Sequence, residues 1–235
     1  MKTRAAVLHE MGAKKPYKES KPLKIEYLEL DNPSEHEVLI KIHAAGLCHS
    51  DLSVINGNRP RPLPMALGHE ASGEVIKVGK AVTRVSEGDH VVCTFIPSCG
   101  KCIPCKEGRP ALCENGAISN EKGEMLEGGV RLSNDEGKVY HHLGISGFAE
   151  YSVVSENSIV KIDKKIPFER AAAFGCAIIT GIGAVVNTAQ IRSGSNVAVV
   201  GLGGIGLNAI IGAKLAGANE IIALDINEDK FELAK

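Results

Sequence analysis

The segment SCGKCIPCKEGRPALC, Ser98 to Cys113, places thiols at Cys99, Cys102, Cys105 and Cys113. Two-residue gaps let neighbouring thiolates turn onto one ion, and four soft, anionic sulfurs fill a tetrahedral zinc shell. The rival is an iron–sulfur cluster, whose bacterial ferredoxin pattern closes with a three-residue gap and a proline. Here the last gap is seven residues and Glu114 follows, so the spacing points to zinc. With every coordination position taken by sulfur, such an ion pins a surface lobe and leaves no place for a substrate. Any reaction lies elsewhere.

A second pattern concerns a nucleotide. Asn196–Val200 reads as a strand, Gly201-Leu202-Gly203-Gly204-Ile205-Gly206 follows at once, and Leu207–Ala216 continues as an apolar helix. Glu220–Asp225 then forms a second strand tipped by a carboxylate. In that order the elements make a dinucleotide-binding βαβ unit. Gly201 permits the tight turn, Gly203 lets the backbone approach a pyrophosphate, and Gly206 allows close helix–strand packing, with the helix N-terminus receiving the phosphates. Asp225 lies nineteen residues beyond Gly206, near the spacing of a carboxylate that binds the ribose hydroxyls. It would repel a 2′-phosphate, which favours NAD over NADP. As a plain structural residue it would be a strand-end cap. Lys230 reads either as a second ribose contact or as a solvated helix lysine.

The elements that must position these groups fall into two textures. The chain has 235 residues, 44% of them hydrophobic, with 27 basic against 28 acidic side chains. Such a balance argues against a nucleic-acid partner. No apolar run reaches the roughly 18 residues of a membrane span, and MKTRAAVLHE lacks the apolar core of a secretory signal. The expected location is the cytoplasm, where seven cysteines read as metal ligands or catalytic groups rather than disulfides. In the first part apolar residues alternate, as in EVLIKIHAA, where Val38, Ile40, Ile42 and Ala44 share a face. Turn signals punctuate these strands, giving a partly open barrel with long loops. The polar stretch from Gly116 to His142 reads as one such surface loop. After Glu169, AAAFGCAIITGIGAVVNTAQ has the length and composition of a packed helix. Cys93 reads as a buried strand cysteine, and His9, His36, His43 and His90 show no partner pattern; His141 is undecided.

Cys48 in GLCHSD, His69 in LGHEASG and Cys176 in FGCAIIT read singly as core residues. Together they offer two thiols and an imidazole, a set that leaves zinc an open fourth position. The blocks GLCHSD, LGHEASGEV, SCGKCIPCKEGRPALC, FGCAIITG and VVGLGGIG stand in the order and spacing of the zinc-dependent medium-chain alcohol dehydrogenases, and the chain resembles about the first two thirds of a member. The resemblance implies a mixed β and α/β fold: a GroES-like, partly open β-barrel catalytic domain over residues 1–177, then an incomplete Rossmann NAD-binding domain over residues 178–235. It makes Cys48, His69 and Cys176 ligands of a catalytic zinc and the four clustered thiolates ligands of a structural one. It casts Asp51 as the carboxylate orienting His69 and Glu70 as the acid behind the metal. Ser50 becomes the hydroxyl that binds the substrate oxygen and takes its proton, His49 a pyrophosphate contact, and Thr180 a neighbour of the nicotinamide. Phe95, Ile118, His142 and Leu143 resemble pocket-lining positions.

The implied activity is zinc- and NAD-dependent oxidation of primary or secondary alcohols to aldehydes or ketones by a homodimer or homotetramer. Two departures qualify it. Ser53 stands where some members end the proton relay at a histidine. The chain also stops soon after the first βαβ unit, so the isolated chain is expected to show little turnover. S-(hydroxymethyl)glutathione or formaldehyde oxidation is the alternative within the family, and an inactive zinc-binding module the alternative outside it.

Overall fold

A computed structural model describes residues 1–235. Two compact units divide the chain between Ala173 and Phe174, where sequence reading places the boundary at 177/178. The first unit runs β1 (Lys2–Leu8), α1 (Tyr17–Ser20), β2 (Leu23–Leu30), β3 (Glu37–Gly46), α2 (His49–Ile55), β4 (Met65–Ala66), β5 (Glu70–Val78) and β6 (His90–Cys93). It continues α3 (Ile103–Lys106), α4 (Glu114–Lys122), β7 (Leu132–Asn134), β8 (Gly137–His141), β9 (Tyr151–Ser155), β10 (Ile159–Ile162) and α5 (Phe168–Ala172).

Five strands close a barrel in the order β1-β2-β7-β8-β4, and a second sheet runs β10-β6-β5-β3-β9. The barrel is narrowly joined at β4, which contributes only Met65 and Ala66 to its pairings with β1 and β8. Strand β3 is buried on both faces over its first half. Val38 and Ile40 enter a core with Val75, Val91 and Val154, while Leu39 points the other way to Val7, Leu30 and Leu132. One strand thus serves two cores, and its alternation sorts the side chains between them. Cys93 is fully buried in β6, as expected, and desolvation pushes its thiol up to about 12. No single helix is long and apolar enough to cross a membrane.

The stretch from Gly116 to His142 is not a loop. It holds most of α4 and all of β7 and β8, and its Met125, Leu132 and Val139 are buried in the barrel core. Its apolar residues are too few and too widely spaced to announce strands; pairing with Glu29 and Leu30 on β2 and with Met65 and Ala66 on β4 decides their structure. Arg131 ties the segment down through two 2.8 Å bonds to the buried Glu37 carboxylate. His141 accepts from the Arg131 N–H at 3.0 Å and meets Ser146 Oγ at 3.1 Å. Burial, helped by the Arg131 charge, pulls its imidazole down to about 3. Four other histidines also have partners: His9 lies 2.6 Å from Glu26, His36 lies 2.9 Å from Glu156, and His43 and His90 each lie 4.4 Å from the Phe168 ring.

The second unit, Phe174–Lys235, contains α6 (Ala177–Gly183), a π turn (Ala184–Ala189), β11 (Asn196–Val200), α7 (Gly204–Leu215), β12 (Glu220–Leu224) and α8 (Phe231–Ala234). β11 and β12 pair in parallel, Asn196 opposite Glu220 through Val200 opposite Leu224, with α7 as the crossover. α6 lies on α7 because Gly181 lacks a side chain: a Cβ there would stand 2.6 Å from that of Asn208. The apolar run after Glu169 is not one helix. It breaks after α5, where a 3-10 turn ends and Cys176 takes φ −145°, ψ −75°, outside the helical region.

Leu132→Ala should cost about 2–5 kcal/mol of stability by urea denaturation. A loss below about 0.5 kcal/mol would mean that the β7–β8 hairpin is no part of the core. For His141 the unfolded imidazole titrates near 6.5, above the folded value, so its contribution is complete above about pH 6.5 and is lost as pH falls toward 3. His141→Asn should be less stable at pH 7 by roughly 1–3 kcal/mol, and the gap to wild type should narrow toward pH 4. A constant gap across that range would refute the assignment.

Candidate metal and nucleotide sites

In the first unit the site grows from the start of α2. Cys48 is its N-cap: Sγ accepts from the Ser50 N–H at 3.5 Å, and the Cys48 N–H donates to Asp51 Oδ2 at 3.2 Å, a reciprocal capping pair. Val54 and Ile55, one turn on from Asp51, pack with Leu8, Met65 and Leu67. Burying each contributes about 1.5–3 kcal/mol. That anchoring sets Asp51 beside His69, whose Nδ1 lies 3.1 Å from Asp51 Oδ1. The backbone turns into His69 through Gly68, at φ +94°, where any Cβ would collide with the Phe148 N–H.

An ionised carboxylate only accepts, so Asp51 selects the Nδ1–H tautomer and leaves the His69 Nε2 lone pair available as a ligand. Burial works against the Asp51 charge, but the His142 and His69 imidazoles outweigh it and hold the carboxyl well below the usual range. Cys48 Sγ, a His69 ring nitrogen and a Glu70 carboxylate oxygen lie within 4.8 Å of one another. Sulfur, imidazole and carboxylate donors held this close suit zinc. Glu70 opens β5, and its carboxylate occupies the space a side chain at residue 46 would need.

The neighbours sort themselves by place. Ser50 is half-buried and His49 exposed at the start of α2, and Ser53 Oγ donates back to the His49 carbonyl at 3.0 Å. Phe95 meets the His69 ring edge-on at 6.0 Å, and His142 does so at 5.4 Å with its Nδ1 3.0 Å from Asp51 Oδ1, off the line of a hydrogen bond. Leu143 is buried at φ +53°. Ile118 departs from this group: it is half-exposed on α4 and lines a surface groove with Cys99 and Asn115. Cys176 belongs to the second unit, at the residue before α6, and Thr180 is exposed on that helix.

The four-cysteine lobe brings its sulfurs within 4.8 Å of one another. Thiolates 2.3 Å from a tetrahedral ion stand about 3.8 Å apart, and Cys102 and Cys113 Sγ are separated by 3.9 Å. N–H groups are aimed at the sulfurs: Cys102 N and Asn115 Nδ2 at Cys99, Cys99 N and Gly116 N at Cys113, all between 3.2 and 3.4 Å. The Lys101 N–H beside Cys99 helps bring that thiol down to about 6. Desolvation and the crowding thiols of Cys102 and Cys113 push Cys105 up to about 12. Four thiolates this close cannot all ionise alone, and a cation removes the conflict.

In the second unit Gly201 turns at φ +94° and Gly203 caps α7 in an extended conformation, with Gly204 opening the helix. A Cβ on Gly206 would strike the Gly201 carbonyl, so the glycines let the helix start against the strand end. Nothing lies within 4 Å of where a Gly203 Cβ would stand, leaving the backbone open to a ligand. Asp225 follows β12. Its Oδ2 accepts from the Leu202 N–H at 2.7 Å, its Oδ1 from Asn227, and Lys230 Nζ pairs with it at 2.9 Å. The Leu202 N–H, then that of Asn227 and the Lys230 ammonium, lower the carboxyl to about 2. Lys230, in the 3-10 turn after β12, is thus paired with Asp225 while its side chain stays partly exposed.

Several known proteins are similar. Alcohol dehydrogenase class-3 of Drosophila melanogaster is 47% identical over 216 residues, 92% of this chain and 57% of the relative. S-(hydroxymethyl)glutathione dehydrogenase of Synechocystis sp. is 45% identical over all of this chain and 62% of its own. The chain thus spans about three fifths of the length of these curated relatives. The crystal structure of benzyl alcohol dehydrogenase from Acinetobacter calcoaceticus matches with a TM-score of 0.89 and 38% identity, over 100% of this chain and 61% of that one. Residues 34–164, more than half of the sequence, match the alcohol dehydrogenase GroES-like domain, and the chain belongs to that family.

Proposed function

We propose that this chain carries the zinc-binding and first nucleotide-binding parts of an NAD-dependent alcohol dehydrogenase that interconverts primary or secondary alcohols with aldehydes or ketones. The observation that supports the reading is the buried Asp51–His69 pair beside Cys48, which leaves one imidazole nitrogen available to bind an ion near a sulfur. Cys48, His69 and Cys176 would hold the catalytic zinc, with Glu70 behind it; Cys99, Cys102, Cys105 and Cys113 would hold the structural one. When bound, zinc supplies Lewis acidity at the alcohol oxygen and NAD accepts the hydride.

The chain's own residues do the rest. Asp51 keeps His69 in one tautomer and one orientation. Ser50 Oγ would accept the proton of the substrate hydroxyl as its own hydroxyl proton leaves to water, since Ser53 cannot act as a base. The open backbone at Gly203, with the N–H groups at the start of α7 and Gly204, would cradle the pyrophosphate, and His49 would add a donor. Thr180, exposed on α6, would lie beside the nicotinamide. Asp225 holds the ribose hydroxyls, and because Lys230 already balances its charge, its preference for NAD rests on two acceptor oxygens rather than on net repulsion. Ser50, smaller than threonine, suits bulky substrates, consistent with the benzyl alcohol dehydrogenase likeness. The Synechocystis relative's name supports a second reading, S-(hydroxymethyl)glutathione oxidation. The whole protein would be a cytoplasmic homodimer or homotetramer acting on small molecules.

Elemental analysis should find two zinc ions per chain, with Cys176→Ser losing one and Cys99→Ser the other; iron, or no metal, would sink the reading. Asp225→Ala should weaken ADP-ribose binding at least tenfold in calorimetry, about 1.4 kcal/mol, with zinc content unchanged. An unaltered Kd would remove Asp225 from the nucleotide site.

A further inference from the structure

Asp51 has a second imidazole beside it, one the resemblance casts only as pocket lining. His142 follows β8, is completely buried, and comes from an element remote in sequence from both α2 and β5. Its backbone is pinned: its N–H donates to the Ala66 carbonyl at 3.2 Å, and its carbonyl accepts from Ile145 at 3.1 Å. The ring stands perpendicular to that of His69, centroids 5.4 Å apart, with Nδ1 3.0 Å from the Asp51 Oδ1 that holds His69. Neither ring nitrogen of His142 completes a hydrogen bond. Leaving both unmet in a buried imidazole is costly. The Nδ1 distance is already right and only alignment is missing. Torsion about the bond to an imidazole ring is soft, so a small rotation completes the bond.

We propose that His142 is a positioning residue for the Cys48–His69 metal site. Its Nδ1–H, turned onto Asp51 Oδ1, braces the same carboxylate oxygen that holds His69 and thereby fixes the His69 ring. Asp51 is then held at three points: the Cys48 N–H on Oδ2, and His69 and His142 on Oδ1. Removing the His142 contact frees the carboxylate to swing about its own side-chain torsion, and His69 with it. Partners that orient a ligating histidine change metal affinity by about 10–100-fold. The inference rests on the proposed zinc reading, and its test separates the two.

The full chain, loaded with zinc, is mixed with a chromogenic chelator and release is followed in time. Wild type should give two phases, assigned by the Cys48→Ser and Cys99→Ser variants. His142→Phe should speed the Cys48–His69 phase about tenfold and leave the four-thiolate phase alone. His142→Asn, whose amide N–H stands near the place of Nδ1, should restore most of the wild-type rate. The cobalt(II) form should show the same order, with the visible bands altered in His142→Phe and not in His142→Asn. Equal release from His142→Phe and wild type would overturn the inference, as would Asn failing to rescue or both phases accelerating together, the mark of a packing role. A wild-type chain with only the four-thiolate zinc would instead overturn the underlying reading, and this inference with it.

Discussion

A carboxylate buried at 3% residue exposure is the constraint around which the first unit is arranged. Taking Asp51 out of water is costly in its ionised form, and only donors placed close by make that form stable. Those donors come from separate elements: the first turn of α2 and the residue before β5, with the His142 ring alongside from beyond β8. For all of them to arrive together, α2 must be docked by Val54 and Ile55, the Gly68 turn must pass Phe148, and the barrel must close through β7 and β8. Few of these requirements are local, and none is separable from the fold.

The four-cysteine lobe follows the opposite logic. Its sulfurs, the N–H groups that face them and the short helices that carry them fall within a single stretch from Cys99 to Gly116. Its geometry is written in adjacent residues and depends little on distant contacts. On the proposed zinc reading, a closed shell assembled locally would tolerate change in the core, while an open one assembled globally would be exposed to every shift in packing that moves Asp51.

That difference explains what was legible beforehand. C-x2-C-x2-C-x7-C and the glycine turn of the βαβ unit are short-range patterns, and spacing alone suffices to read them. Cys48, His69 and Cys176 carry no such mark: their residue types suit zinc, but only the resemblance groups them. The barrel-closing hairpin leaves no such pattern, because β7 has three residues and takes its register from Glu29 and Leu30, far away in the chain. The break before Cys176 is silent for a related reason: small apolar residues suit a helix, and nothing in their order says where it must stop. His36 and Glu156 are 120 residues apart, and so, like the His142 approach to Asp51, their pairing has no local signal.

Cys48 holds one further consequence. A sulfur that accepts the first-turn N–H of α2 sits where serine, threonine and aspartate are ordinarily preferred. Those residues would begin the helix at least as well. The fold therefore gives no reason for a thiol at this position; on the proposed zinc reading the requirement comes from an ion soft enough to discriminate sulfur from oxygen. Chemistry and architecture make separable demands on the same atom, and an oxygen in its place would keep the helix while changing which metals the site prefers.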